Sequence, residues 1–378
     1  MEPIEAAAFA APAYMEDWAS RVFARLGVPE ANAREVARSL LNTSLRGVDS
    51  HGLMRVPIYA ERLRRGGINP RPDVRVLRET SGTALLDGDN GMGQVVASRA
   101  MEIAIAKASA CGSSFVLARR TNHFGAAAEW AASPAGHGMI GWATTNTPPI
   151  VAPWGSREAV VGNNPIAVAV PTGEDQPMIL DMALSTVAGG KLRYAAKNGV
   201  ETPPDWALAP DGSRTTDPNL GLLGALLPTG GYKGSGLAIM TEVLTGLLAG
   251  SGASEDVQLV WERTDTPGNV ASAFGAIDIG AFIDLEPFQR SVRERSDRIR
   301  SAPPVPGGEP VQVPGDPEVE ATRIRTAQGV PLPAAIIAEM SKLGEDVGVP
   351  FDVTEGDGMP DRRADRTSGS SAGREEIS

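Results

Sequence analysis

Cysteine is nearly missing from this chain: Cys111 is the only one in 378 residues. That excludes an intrachain disulfide framework and any Cys-rich zinc or iron–sulfur site. Histidine is almost as scarce, with His51, His123 and His137 the whole supply. Positive charge is short too. Lys and Arg number 35 against 46 Asp and Glu, a net charge of −11. Nucleic-acid binding rests on cations that neutralise phosphates, so such a partner is not expected. No apolar run approaches the ~18–20 residues of a membrane span. The leading stretch MEPIEAAAFAAPAYMEDW has acids and no basic segment of a secretory signal. The expectation is a soluble cytoplasmic protein with no nucleic-acid or membrane partner and no metal. What is abundant is ordinary: 42% apolar and 21% charged residues support two or three domains with sizeable cores.

The first seventy residues read as helices. Tyr14–Leu26 ends at Gly27, Pro29 opens a second helix carrying Val36, Leu40, Leu41 and Leu45 at helical spacing, and Pro57 sits in the first turn of a third that stops at Gly66-Gly67. From about residue 75 the period changes. Short apolar runs (Thr83–Leu86, Phe115–Ala118, Met139–Ala143, Ile166–Val170, Met178–Leu180) alternate with helical stretches such as Gln94–Ala110 and Ala126–Ala132. Leu237–Leu248 reads as a strongly apolar, buried helix, Phe274–Ile277 as a late strand, and Leu285–Arg300 as a charged surface helix. A Pro/Gly connector over 302–317 leads to helices at Val319–Ala327 and Ala334–Leu343. The expected regions are 1–75 (N-terminal helical), 76–301 (mixed-sheet, dinucleotide-binding), 302–351 (C-terminal helices packing on the first region) and 352–378, a disordered acidic tail.

Nucleotide fingerprints fail. Gly88–Gly93 reads GDNGMG, but from Gly91 the third glycine position is Val96, and no acid follows at the Rossmann distance. Gly230–Gly236 reads GGYKGSG, with no glycine directly before Lys233 and a glycine rather than Ser or Thr directly after it, so it is not a P-loop. Any dinucleotide must lie in a different cradle.

Other groupings carry chemistry. GVDSHGLMRVPIY (Gly47–Tyr59) joins two helices and places His51, Arg55 and Tyr59 at four-residue intervals. A His near neutral pH moves protons, and an Arg grips a carboxylate through paired hydrogen bonds. A solvated turn capped by Asp49 or Ser50 would use the same residues. TNHFG (Thr121–Gly125) follows a strand, where functional groups gather, yet His123 could equally cap the next helix. His137 lies between two glycines and reads as a turn residue. Asp181 at a strand end could orient a His or cap a helix. Lys233-Gly234 enters the apolar helix, whose N-terminus offers N–H groups to phosphate; a glycine-rich turn is the plainer alternative.

Taken together, GVDSHGLMRVPIY, TNHFG, TTNTPPIVAP, GNNPIAVAVPT, ILDMALST, GYKGSGLAIMTEVLTGLLAGS and PGDPE followed by GVPL resemble the malate/L-lactate dehydrogenase-like family of NAD(P)-dependent oxidoreductases, over about residues 15–350 in the expected order. Sulfolactate, ureidoglycolate and 2,3-diketogulonate oxidoreductases and Δ1-piperideine-2-carboxylate reductases belong to that family. The resemblance implies an α/β fold: a non-Rossmann mixed-sheet dinucleotide-binding domain plus a helical region built from both chain ends, usually in a homodimer. It implies NAD or NADP as cofactor and a small 2-hydroxy or 2-oxo carboxylic acid as substrate. A cyclic imino acid reductase is the alternative, and a catalytically silent nucleotide-binding relative a third.

Carried onto this chain, the resemblance makes His51 the proton donor or acceptor, with Asp181 its electrostatic partner and His123 the rival for the acid/base role. Ser50, Arg55, Tyr59 and Thr147 become substrate contacts. Asp181, Met182, Ala183, Leu184, Ser185, Lys233, Gly234, Gly315 and Asp316 fall where the family holds the dinucleotide. Two departures stand out. Ala271-Ser272 replaces a common Gly-His pair, and the connector offers both PGGE and PGDP for the last cofactor contact.

Overall fold

The computed structural model describes residues 6–358. A short strand, β1 (Ala8–Ala10), precedes α1 (Pro12–Arg25), which starts on the fixed φ of Pro12. Gly27, at φ +91°, then turns the chain into α2 (Glu30–Leu45). Two single 3₁₀ turns, Asp49–His51 and Leu53–Arg55, lead into α3 (Val56–Arg65). Val36, Leu40 and Leu41 face inward as their spacing requires, and they share a core with Trp18, Phe23 and Tyr59.

Small side chains let the next helices sit close on a sheet. After β2 (Arg75–Glu79) and β3 (Thr83–Asp87) comes α4 (Gly93–Cys111), whose Ala97, Ala100, Ala104 and Ala108 are all buried at helical spacing. Then follow β4 (Phe115–Thr121), α5 (Ala127–Ala132), β5 (Met139–Thr145), β6 (Ile166–Val170) and β7 (Met178–Met182). Beyond β7 the chain builds a small lobe that sequence periodicity did not announce: α6 (Gly189–Asn198), the two-residue strands β8 (Ala207–Leu208) and β9 (Arg214–Thr215), α7 (Pro218–Leu223) and β10 (Ala225–Leu226). Its core is little more than Val151, Val187, Leu192, Ala207 and Leu226, too sparse for a periodic signal.

The apolar helix comes next as α8 (Tyr232–Glu242), continued by a π-helical turn over Val243–Leu247. The expectation of a buried helix is overturned. Leu237, Met240, Leu244, Leu247 and Leu248 are all exposed; only Ala238 and the small residues Gly234, Ser235, Thr241, Thr245 and Gly246 face inward among the described side chains, with Glu242. Hydropathy alone cannot tell burial within a chain from an apolar surface.

β11 (Val270–Asp278) then enters the middle of the sheet, giving the order β2-β3-β4-β11-β5-β6-β7. Only β3 and β4 run parallel; every other pair is antiparallel. That mixed topology leaves no room for a doubly wound Rossmann crossover. Its core joins α4 and α5 to Leu86, Val116, Ala143, Ala167 and Phe274 on the strands. α9 (Leu285–Arg300) is the expected charged surface helix, with Ser296 its one buried residue.

α10 (Asp316–Gln328), β12 (Val330–Leu332) and α11 (Ala334–Val347) return to the N-terminal helices. β12 pairs antiparallel with β1, and the Trp18 indole donates to Val349 O at 3.1 Å. The helical region is therefore built from both chain ends. It also runs further than expected. Within the stretch read as a disordered tail, the Asp352 N–H donates to Tyr14 Oη (2.6 Å), Phe9 N–H to Asp357 O (2.8 Å), and Gly356 N–H to Ala7 O (2.7 Å), while Val353 is buried. The remainder of that stretch, 359–378, lies outside the described residues. Ending the chain at Asp352 is expected to cost roughly 2–4 kcal/mol, from one buried valine and two lost backbone bonds. Ending it at Gly358 keeps those contacts. Equal melting temperatures for the two truncations would show that 353–358 contribute nothing.

Candidate active site

The His51 turn is pinned from two sides. Gly52 presses so closely on α2 that a Cβ there would lie 2.2 Å from Ser44 Oγ. That hydroxyl accepts the Leu53 N–H at 2.9 Å. From the other chain end, Arg325 of α10 makes two parallel bonds to Asp49 (2.6 and 2.9 Å) and a third to Ser44 O (2.6 Å). Asp49 is thus a buried anchor for the turn rather than a solvated cap.

The second loop is held by amide chemistry. At the end of β4, the Asn122 side chain donates to Asn90 O (3.0 Å) and Gly91 O (2.8 Å) and accepts the Gly268 N–H (3.1 Å). Gly93, the last glycine of GDNGMG, lies where a Cβ would sit 2.2 Å from Asn122 O and 2.4 Å from His123 O. The glycine word is therefore a packing device that sets the histidine loop, with no phosphate role.

These anchors bring the two histidine rings to 5.3 Å between centroids, inclined by 30°. His51 Nδ1 is 2.9 Å from Ser50 Oγ. His123 Nδ1 receives the Gly125 N–H at 3.3 Å and stands 2.6 Å from Tyr59 Oη. A nitrogen that accepts a backbone N–H carries no proton, so Tyr59 donates to it and the His123 proton resides on Nε2. Electrostatics agree. Burial, then repulsion from the neighbouring His51, Arg55 and Arg62 when positively charged, holds His123 well below the usual imidazole value, hence neutral. Burial pushes Tyr59 up to about 12, so its phenol stays protonated. His51 is lowered to about 4, first by its enclosed position and then by Arg55.

Both rings line a cleft of about 760 Å³, within the ~300–1,000 Å³ of small-molecule sites. Ser50, Arg55, Thr147, Asp181, Ala183 and Gly315 line it with them. Arg55 donates from Nε to Ser50 O, which leaves its two Nη groups for a ligand. Thr147 is fixed by a hydroxyl bond to Asn163 Oδ1 at 2.9 Å.

Other expected contacts are not on the wall. Tyr59 is buried behind His123 and reaches the cleft only through it. Asp181 does not pair with His51: its Oδ2 accepts the Ala128 N–H at 2.9 Å, and its pKa is raised by the surrounding protein although its edge is open to the cleft. Met182, Leu184 and Ser185 stand behind the wall, Ser185 donating to Val187 O. Lys233 is exposed outside the cleft, and Gly234 is there for close packing, since a Cβ would meet Thr229 O at 2.0 Å. Asp316 is bound to Arg300, with 3.1 and 2.8 Å between Nε and Oδ2 and between Nη2 and Oδ1. Ala271 and Ser272 are interior strand positions of β11, with Ser272 Oγ bonded to Thr145 Oγ1 at 2.9 Å. Of the two connector words, PGDP reaches the cleft through Pro314, Gly315 and Pro317, while PGGE is exposed.

The cleft also contains residues that sequence reasoning passed over. Arg46 Nε and Asn146 Nδ2 are buried cleft donors without a partner among the described residues. Arg193 and Trp261 come from segments that carried none of the quoted words. Arg46 directly precedes GVDSHGLMRVPIY and Asn146 lies within TTNTPPIVAP, so membership of or adjacency to those words was the signal available for them.

A dinucleotide fits this wall. The N-termini of α6 and α10 open into the cleft at Gly189-Gly190 and Gly315. Gly315 has φ +97°, and its backbone approaches that of Ile179 so closely that a Cβ would stand 3.1 Å from Ile179 N. The backbone N–H groups at the Gly189-Gly190 start of α6 and the orphaned Arg46 and Asn146 donors suit a polyphosphate and a carboxamide-bearing ring.

A family model described as malate/L-lactate dehydrogenase matches residues 11–341. Malate dehydrogenase of Pyrococcus horikoshii is 40% identical over 337 residues, covering 87% of this chain and 92% of that protein. Ureidoglycolate dehydrogenase (NAD(+)) of Escherichia coli O157:H7 is 33% identical, covering 80% and 86%. The solved structure of sulfolactate dehydrogenase from Methanocaldococcus jannaschii superposes with a TM-score of 0.86 at 34% identity, covering 90% of this chain and 98% of that one.

Proposed function

The chain belongs to the malate/L-lactate dehydrogenase family and is a dehydrogenase of nicotinamide-dependent kind, and we propose that its substrates are small 2-hydroxy carboxylic acids of the malate, lactate, sulfolactate or ureidoglycolate type. Bound NAD or NADP supplies the hydride chemistry, exchanged between nicotinamide C4 and substrate C2. The observation that carries the reading is the meeting of His51, His123 and Arg55 in one cleft of dinucleotide size.

Each side chain then has one task. His51, neutral in the free protein, accepts the hydroxyl proton during oxidation and returns it during reduction. Ser50 fixes its ring through Nδ1. His123 stays neutral and donates from Nε2 to the substrate oxygen, its tautomer set by Tyr59 and Gly125. Arg55 grips the C1 carboxylate with its free Nη groups. Asp181, Ala183 and Gly315 serve the dinucleotide side of the cleft. Tyr59 is a positioning residue, and Lys233 stands outside the cleft of this chain. The exposed leucine and methionine face of α8 supports a homodimer, since a patch this apolar is stabilised by a second copy of itself.

Following reduced-nicotinamide absorbance across a panel of 2-hydroxy and 2-oxo acids, with NAD(H) and NADP(H) in both directions, tests the reading. Tight cofactor binding without turnover of any acid would leave a silent relative. The pH profile of the same assay is a sharper check. Oxidation needs neutral His51, so kcat/KM should rise with pH through its pKa and level off above it. Because enclosure and Arg55 lower that pKa, the limb is expected below the ~6.5 of an ordinary imidazole. Reduction needs the protonated ring and should fall over the same range. An oxidation limb above 6.5 would mean that a negative charge faces His51 in the working enzyme.

A further inference from the structure

Trp261 sits in the segment between the π-helical turn and β11 and faces the cleft with 40% of its surface exposed. Two guanidinium groups lie over its ring. Arg55 Cζ is 4.7 Å from the ring centroid and Arg193 Cζ, from α6 of the small lobe, is 5.1 Å from it. The two charges are therefore separated by no more than the sum of those distances. Both arginines line the cleft that holds the histidines.

Neither has an acidic partner. Among the described residues no carboxylate lies within ion-pair distance of Arg55 or Arg193, and the one hydrogen bond formed by Arg55 goes to a backbone oxygen. Burial lowers the pKa of Arg55 first, and the neighbouring charge of Arg193 adds to that shift. Stacking on tryptophan compensates in part, but both hydrogen-bonding edges remain without an anion. A monocarboxylate relieves one of the two cations. A substrate with two anionic groups relieves both.

We propose that Arg193 is a specificity-determining residue that binds the second anionic group, carboxylate or sulfonate, of a dianionic 2-hydroxy acid whose C1 carboxylate is held by Arg55, with Trp261 as the platform that spaces them. This rests on the 2-hydroxy acid reading above and names the class of acid within it.

The test compares L-malate with L-lactate on the unmodified protein, Arg193→Gln and Arg193→Lys. Binding is measured by titration calorimetry with and without NADH or NADPH, where a hydroxy acid and a reduced cofactor cannot react, and kcat and KM are measured in turnover. Malate is expected to bind 10–100-fold more tightly than lactate, the usual worth of a charge-assisted contact. Arg193→Gln should erase that difference through malate alone, leave lactate within twofold and leave the cofactor KM unchanged. Arg193→Lys should restore part of it. Equal losses for both acids would make Arg193 a structural residue, a raised cofactor KM would assign it to the dinucleotide, and equal affinities in the unmodified protein would remove the second anion subsite. Each of these overturns the proposal. An Arg193-dependent preference for malate in calorimetry without any turnover would uphold it while sinking the dehydrogenase reading.

Discussion

His51→Asn is expected to lower kcat for hydroxy-acid oxidation by ~10²–10⁴-fold, the usual contribution of a positioned proton acceptor. Dinucleotide affinity should hardly change, since the His51 turn is fixed to α2 by Ser44 and to α10 by Arg325 and not through the helix starts Gly189-Gly190 and Gly315. His123→Asn, made in parallel, separates the two histidines. His123 is held neutral with its proton on Nε2, so it donates a hydrogen bond and is a poor base. Its loss should therefore be smaller and should leave the acidic limb of the pH profile in place, whereas His51→Asn should abolish that limb. A large loss confined to His123→Asn, with the limb removed, would transfer the proton to the other ring.

Arg325→Ala is expected to destabilise the fold by about 3–5 kcal/mol, because it strands the carboxylate of Asp49 in the interior without its cation. The two side chains are only 13% and 7% exposed, which distinguishes this pair from the surface ion pairs of α9 and α10. Urea unfolding measures the loss. Because Asp49 opens the turn that bears His51, the remaining folded protein should also show a lower kcat with an unchanged cofactor KM. Replacing both partners, Asp49→Leu with Arg325→Met, should recover part of the stability by removing the stranded charge, but not the placement of His51. A loss below about 1 kcal/mol for Arg325→Ala would mean that water reaches the pair and that the C-terminal helix does not hold the turn.

Periodicity and punctuation made most of the long elements legible. Ala97, Ala100 and Ala104 announce α4, Gly27 and Pro29 mark the break between α1 and α2, and the apolar runs from Thr83 to Leu180 coincide with β3 to β7. Short segments were opaque for a physical reason. β1 and β12, three residues each, are strands only because the chain ends meet, and α6 has little apolar periodicity because only Leu192 and Ala195 are buried.

The sequence by itself determined the chemistry available: three histidines, an arginine four residues beyond the first of them, a missing Rossmann fingerprint, and a net charge of −11. Those are matters of composition and local spacing, which do not depend on where the chain goes next. Tertiary structure alone decided which groups share a site. It set the ring of His123, 72 positions after His51, beside it, and placed Tyr59 behind His123 rather than on substrate. It turned Asp181 toward Ala128, left Lys233 outside, and stacked Arg55 and Arg193 on one tryptophan. Contacts of this kind form between side chains far apart in sequence, and they answer to packing geometry, which no local pattern encodes.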